Sequence, residues 1–331
     1  MCDADCAASA RPTGVTMTST SAAAFWETIA CPVCGGTSFS PRFRLRFSEF
    51  ASDLSKVNLK LIGCTPDTVF DYSECASCSF VTTNPRLTSS ANETFYNSFK
   101  APYTDNISTE LGSPGSTVSS AHRTSKMIRT FRDLQLAIAL CGRRVTGARR
   151  TDGPIRMLDY GSGHGYMLQL ARTFGLEAAG VELSQSRIDL CRSMGLKVGS
   201  REEILDSKFD IVISQSVIEH VNDLNRYLQD IAGALDKGGI FICNGLTPQT
   251  VPIEQRRGRY KLTHPISHLN LMNRRNLQTL LEKHGFRIPG RRELWDRLRE
   301  GSWSIYMRAP YAIYGAIMVD GADIQAIAIK T

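Results

Sequence analysis

The stretch "MLDYGSGHGYML", Met157–Leu168, decides how this chain is read. An apolar run ends in Asp159, and three glycines follow in five positions: Gly161, Gly163 and Gly165. Glycine inside a regular element costs roughly 0.5–1 kcal/mol relative to alanine. A cluster of them where a strand becomes a helix implies a tight turn whose backbone must stay bare. A ligand can then approach the main chain itself. The helix N-terminus beyond the turn offers unpaired N–H groups and a partial positive charge, which suits a carboxylate.

Strand and helix signals alternate outward from this turn. Strands are expected at 155–159, 178–182, 209–214 and 240–244, with helical spacing at 166–174, 184–194 and 224–235. Such alternation predicts an α/β domain, a parallel sheet with helices on both faces. "RRNLQTLLEKHGF", 274–286, reads as a further helix closed by Gly285, and 324–330 as the last strand. Residues 293–320 fit no simple unit and are expected as an insertion or lid near the substrate. Upstream, 121–141 reads as an amphipathic helix with Met127, Ile128, Phe131, Leu134, Ile138 and Leu140 on its apolar face. The Ser-, Gly- and Thr-rich stretch 108–125 before it reads as a linker or mobile loop.

The second expected strand ends at Glu182, where an acid can accept hydrogen bonds from two ribose hydroxyls. Glycine turn and terminal acid together imply an adenosine-bearing cofactor. The dinucleotide fingerprint G-x-G-x-x-G sets its third glycine three places after the second. Here G-S-G-H-G is followed by Tyr166, so the third glycine comes one place early, and Asp159 stands two places before the first. A nicotinamide dehydrogenase therefore fits less well.

The ordered set of Asp159, the glycines, Glu182, Glu219–His220 and Gly238–Gly239 resembles the class I S-adenosylmethionine-dependent methyltransferases. Their first motif runs "LDxGxGxG", and the match covers roughly 155–245. The resemblance implies a Rossmann-like, doubly wound methyltransferase fold with S-adenosylmethionine as cofactor. By position, Asp159 and the loop Gly161, Ser162, Gly163, Gly165 and Tyr166 would hold the methionine end. Glu182 would hold the ribose, with Leu183 beside it, and Ser200–Glu202 would flank adenine. Gln215 and Ser216 would line the methyl-donor side, and His164 would flank the cofactor.

Ten cysteines are present, and four form two C-x-x-C pairs, Cys31 with Cys34 and Cys75 with Cys78. Two such pairs can supply four thiolates to a tetrahedral zinc ion, and a closed four-thiolate site is structural. Residues 35–74 lie between the pairs, so this stretch must carry its own structure. "CASCSFVTTNPRLTSSANETFYNS" resembles a segment of bacterial methyltransferases, sugar C-methyltransferases among them, that carry a small N-terminal zinc-binding domain; Asn84, Pro85, Arg86 and Tyr96 match. Ser79 replaces a frequent glycine, which predicts a distorted second knuckle. The expected organisation is a disordered leader (1–25), a zinc-binding module (26–100), a linker and helix (101–150) and the S-adenosylmethionine-binding domain (151–331).

Composition agrees with a globular protein. Of 331 residues, 42% are hydrophobic and 21% charged, with a formal net charge of +7. The longest apolar run, 309–319, is shorter than the ~20 residues of a membrane span. The first residues lack a basic start and an apolar core, so no secretory signal is read there, and Met17 is a second candidate start. A cytoplasmic setting is expected, where thiols stay reduced.

Methyl transfer requires donor and acceptor in line, water excluded and, for an alcohol, amine or carbon acid, a base. His220 follows the expected fourth strand and is the leading base candidate; the alternative is a structural histidine bonded to a loop carbonyl. The resemblance includes a histidine before the last helix, which makes His268 the second candidate, beside His264. The acceptor is expected to be a small molecule or a sugar. RNA is the alternative, since Arg143, Arg144, Arg149, Arg150 and "EQRRGRYK", 254–261, could track phosphates. A non-catalytic scaffold of the same fold is the third reading. The sequence does not give the oligomeric state.

Overall fold

The computed structural model describes residues 25–49, 63–98, 120–141, 153–246, 265–300, 316–320 and 323–331. The leader up to residue 24, the four arginines at 143–150, the basic stretch 254–261 and His264 lie outside them. In chain order the strands are β1 (Trp26–Glu27), β2 (Phe39–Arg46), β3 (Val69–Cys75), β4 (Val81–Thr83), β5 (Arg86–Leu87), β6 (Arg156–Tyr160), β7 (Glu177–Val181), β8 (Lys197–Gly199), β9 (Phe209–Gln215), β10 (Leu235–Leu246), β11 (Asn270–Leu271), β12 (Phe286–Arg287), β13 (Ile317–Asp320) and β14 (Asp323–Lys330). The helices are α1 (Ser89–Ser98), α2 (Ser120–Cys141), α3 (Tyr166–Thr173), α4 (Gln185–Ser193), α5 (Arg201–Ile204), α6 (Leu224–Ala234), α7 (Arg274–Lys283) and α8 (Arg291–Glu300).

The large sheet has the order β12-β14-β10-β9-β6-β7-β8, with β13 also on β14. Strands β10, β9, β6, β7 and β8 run parallel. The expected all-parallel sheet is corrected at one edge, because β14 runs antiparallel to β10, β12 and β13. Only two residues separate β13 from β14, too few for the crossover that parallel pairing needs. Strict alternation divides the core between the two faces. Ile240, Ile242, Ile327 and Ile329 face one cluster with α2, and Phe241, Cys243, Ala326 and Ala328 face the other.

Two further expectations are revised. Residues 291–300 form α8 and 317–320 form β13, so the stretch read as an insertion is partly regular. Helix α2, Ser120–Cys141, stands where the helix was expected, and Leu134, Ile138 and Leu140 of the expected face pack inward, but the other half of that face does not. Met127, Ile128 and Phe131 are 42%, 61% and 40% exposed, while Thr130 and Asp133 are buried with Leu134, Leu136, Ala137 and Leu140. The helix packs through its C-terminal part, and two polar residues turn inward because polar partners wait at the strand ends.

A second sheet has the order β11-β4-β3-β2. Its outer strand β11 comes from beyond residue 246 and pairs antiparallel with β4, Asn270 opposite Thr82 and Leu271 opposite Val81. The N-terminal elements are thus stitched to the large domain by main-chain hydrogen bonds. They also share its core, since Cys31, Val33, Cys75 and Phe80 pack in one cluster with Leu158, Tyr160 and Leu224.

Candidate cofactor loop, histidine pair and thiol cluster

The glycine turn leaves β6 and enters α3. Gly161, Gly163 and Gly165 all have positive φ, at 85°, 53° and 76°. Their surroundings differ. A Cβ on Gly161 would collide with Val217, and one on Gly165 with Leu196, whereas nothing lies within 4 Å of one on Gly163. Gly161 and Gly165 therefore serve packing, and Gly163 presents backbone to open space. Main-chain bonds from Gly161 and Ser162 to the Val181 carbonyl, 2.8 and 3.0 Å, tie the turn to β7.

Glu182 follows β7 directly and is 7% exposed. Its Oε2 accepts from the Gly163 N–H at 2.9 Å. Its Oε1 accepts from the N–H groups of Leu183 and Ser184 at 3.1 and 3.0 Å, and Arg187 lies 3.6 Å away. One carboxylate thus fixes both the glycine turn and the start of α4. Leu183 is 67% exposed beside it. The Glu182 N–H donates to the Gly199 carbonyl at 3.1 Å, so Ser200–Glu202 begins next to it. Ser200 caps α5 through a reciprocal pair with Glu203. Asp159 is 5% exposed at the end of β6, and Tyr166 opens α3 with its ring 6.2 Å from that of His164. The expected cofactor residues Asp159, Gly161, Ser162, Gly163, Gly165, Tyr166, Glu182 and Leu183 therefore gather at one rim, the carboxyl ends of β6 and β7.

Beyond β9 the chain turns through Ser216, at φ 54°, and reaches the histidines. The His220 N–H bonds the Val217 carbonyl at 2.8 Å, and Val217 lies against Gly161. The histidine loop is thereby seated on the glycine turn. His220 Nδ1 is 2.7 Å from the Ser267 carbonyl oxygen. A carbonyl only accepts, so Nδ1 carries a proton, and in the neutral ring the lone pair is on Nε2. Glu219 Oε1 is 4.0 Å from that Nε2. The His268 ring is 4.7 Å from the His220 ring, so the two candidates come together. The Tyr72 hydroxyl donates to the His268 carbonyl at 2.7 Å, and the Thr83 N–H donates to the Leu269 carbonyl at 3.1 Å. The small sheet thus holds the histidine segment in place.

Gln215 closes β9, but its contacts are to α2: the Thr130 hydroxyl donates to its Oε1 at 3.2 Å, and its Nε2 donates to Asp133 at 2.6 Å. Asp133, fully buried, was missed by the reading of the sequence, as were Asn244 and Gln325, which also donate to it. The available signal was an acid inside an apolar helix face and two amides interrupting isoleucine alternation.

The four knuckle thiols cluster, with Cys31, Cys34, Cys75 and Cys78 sulfurs all within 4.8 Å of one another. The pairs Cys31–Cys78 and Cys34–Cys75 stand 3.5 and 3.6 Å apart. Zinc–sulfur bonds of about 2.3 Å imply an edge of about 3.8 Å in a tetrahedron, so the donor set fits such an ion. The expected distortion at Ser79 is absent. Gly35 N–H bonds the Cys31 carbonyl at 2.8 Å, and Ser79 N–H bonds the Cys75 carbonyl at 2.9 Å. Ser79 simply adopts φ 57°, where Gly35 has φ 77°. Burial opposes the Cys75 thiolate, yet backbone N–H groups of Ser77 and Cys78 and the neighbouring thiols bring it down to about 7. Burial pushes Cys78 up to about 11 and Cys31 higher. Asn276 Nδ2 donates to the Cys78 carbonyl at 2.8 Å, another tie between the two parts.

Comparison with known proteins follows the same lines. A family model described as a methyltransferase domain matches residues 129–289. The ubiquinone biosynthesis O-methyltransferase of Pelagibacter ubique (strain HTCC1062) is 29% identical over 105 residues, 28% of this chain and 44% of that protein. The protein of the same name from Bradyrhizobium sp. (strain ORS 278) is 31% identical over 101 residues, 28% of this chain and 40% of the relative. The chain therefore spans less than half the length of these curated relatives. A solved structure of magnesium protoporphyrin IX methyltransferase from Synechocystis PCC 6803 with bound S-adenosylhomocysteine covers 70% of this chain and 96% of its own, at 13% identity and TM-score 0.47. Over residues 129–289, just under half of its length, the chain is therefore similar to a methyltransferase domain.

Proposed function

We propose that this protein transfers a methyl group from S-adenosylmethionine to a small-molecule or sugar acceptor. The observation that carries the reading is the rim built by Asp159, the open backbone of Gly163 and the Glu182 carboxylate. Glu182 Oε2 accepts a single backbone bond and so retains acceptor capacity, as binding of a ribose hydroxyl requires. Exposed Leu183 would cover one adenine face, and Gln215 would stand on the methyl side. When bound, S-adenosylmethionine supplies an electrophilic methyl group on a sulfonium that departs as a neutral thioether.

The chain's own part is to orient the acceptor, exclude water and take its proton. His220 is the proposed base, acting through Nε2, because the Ser267 carbonyl holds the proton on Nδ1. His268 lies beside it, its ring tilted by 54°, and would help seat the acceptor. Cys31, Cys34, Cys75 and Cys78 would hold one structural zinc ion, and the module around it would wall the acceptor cleft. The similarity to ubiquinone biosynthesis O-methyltransferases supports a small-molecule acceptor over RNA. No helix among the described residues is long and apolar enough to cross a membrane; a cytoplasmic location is proposed on composition.

The test is transfer of a labelled methyl group from S-adenosylmethionine to panels of sugars, phenols and RNA. Label in a sugar or phenol supports the reading. Label in RNA alone replaces the acceptor class, and label in none while the cofactor binds supports the non-catalytic scaffold.

A further inference from the structure

Three strand-end residues lie on one rung of the large sheet. Asn244 of β10 is directly opposite Gln215 of β9 on one side and Gln325 of β14 on the other. The rung continues the line of the glycine turn, since Asp159 is paired with Ile213, two residues before Gln215. A row of three amides therefore runs outward from the cofactor rim.

All three amides point their N–H groups at one atom group, the Asp133 carboxylate of α2. Asp133 Oδ2 accepts from Gln215 and Asn244 at 2.6 and 2.7 Å, and Oδ1 from Gln325 at 2.9 Å. Arg132 lies 3.4 Å from Oδ1. Neighbouring amides left to themselves would bond one another, N–H to carbonyl. Here the Asn244 and Gln325 carbonyl oxygens are buried without a hydrogen-bond partner among the described residues. The carboxylate dictates the orientation of the row at the expense of those two acceptors. Gln215 is gripped twice, because Thr130, three residues before Asp133 and on the same helical face, donates to its carbonyl. Its amide can neither flip nor swing away.

The geometry points to Asp133 as a positioning residue for cofactor binding, acting through Gln215. This rests on the proposed reading, in which Gln215 lines the methyl-donor side. Asp133→Asn keeps the shape but turns one carboxylate oxygen into a donor facing other donors, so the row must reorganise. The test titrates S-adenosylmethionine calorimetrically into the full-length wild type, D133N, Q215A and the double variant. D133N is expected to weaken binding about tenfold, and to add less than about twofold in the Q215A background. Equal affinity in D133N and wild type overturns the role of Asp133, and so do fully additive losses, which mark a general structural effect. A wild type that takes no S-adenosylmethionine overturns the cofactor reading itself, and this inference with it. Should D133N not fold, T130V removes only the second grip, and the same coupling to Q215A decides the matter.

Discussion

The Gly163 N–H donates to Glu182 Oε2 at 2.9 Å, linking the middle glycine of the turn to the acid that ends the next strand. The two sequence features that suggested a cofactor are thus one physical unit. Glu182→Gln would place an amide donor near the Gly163 N–H and remove a charge from the ribose side. S-Adenosylhomocysteine affinity is expected to fall by tenfold or more, measured by calorimetry, since hydrogen bonds to charged groups contribute about 1.5–3 kcal/mol.

Gly163→Val tests the open backbone. Left-handed φ costs an L residue roughly 1–2 kcal/mol, but no atom lies in the way of a Cβ. The variant should remain folded by circular dichroism, with a modest loss of stability, and lose cofactor binding. Gly161→Val should behave differently and lose stability first, because Val217 already fills that space.

The thiol cluster should contain one zinc ion per chain by elemental analysis. Removal with a strong chelator should lower the unfolding midpoint by roughly 5 °C or more, and Cys34→Ser should do the same without chelator. Ser79→Gly should raise stability by about 1 kcal/mol, because φ 57° then carries no Cβ penalty.

His220→Asn keeps a donor for the Ser267 carbonyl but supplies no base. Turnover is expected to drop by about 10²–10⁴-fold while cofactor affinity stays unchanged. Tyr72→Phe removes the bond to the His268 carbonyl and should cost about 1 kcal/mol of stability, with a smaller loss of turnover.

Acid should loosen the contact around His284. Burial, with help from Lys283, holds its pKa below the usual 6.5, and its Nε2 lies 3.0 Å from Asn225 Oδ1. The folded state therefore binds this proton less readily than the unfolded state. Stability is lost as pH falls below about 6.5 and levels off below the folded pKa. Urea midpoints at about pH 7.5 and 5.5 should differ more in the wild type than in His284→Gln.

Much of this was legible because local rules and tertiary structure agree. The β6 turn, Glu182 and the strand alternation are read from residues that neighbour one another in sequence. The two knuckles are legible from spacing, although Ser79 shows that a positive-φ site need not be glycine. What stayed hidden is long-range. Periodicity placed Phe131 inward, yet α2 buries Asp133, because its partners Gln215, Asn244 and Gln325 lie 82, 111 and 192 residues away. Nothing local announces that the short strand Asn270–Leu271 joins the sheet of the N-terminal module, or that this pairing brings His268 to His220.

The most direct test of the central claim is calorimetric titration of S-adenosylhomocysteine into the wild type and into Glu182→Gln. The account predicts a single saturable site in the wild type that is strongly weakened in the variant. No binding to the wild type, or equal binding to both, would contradict it.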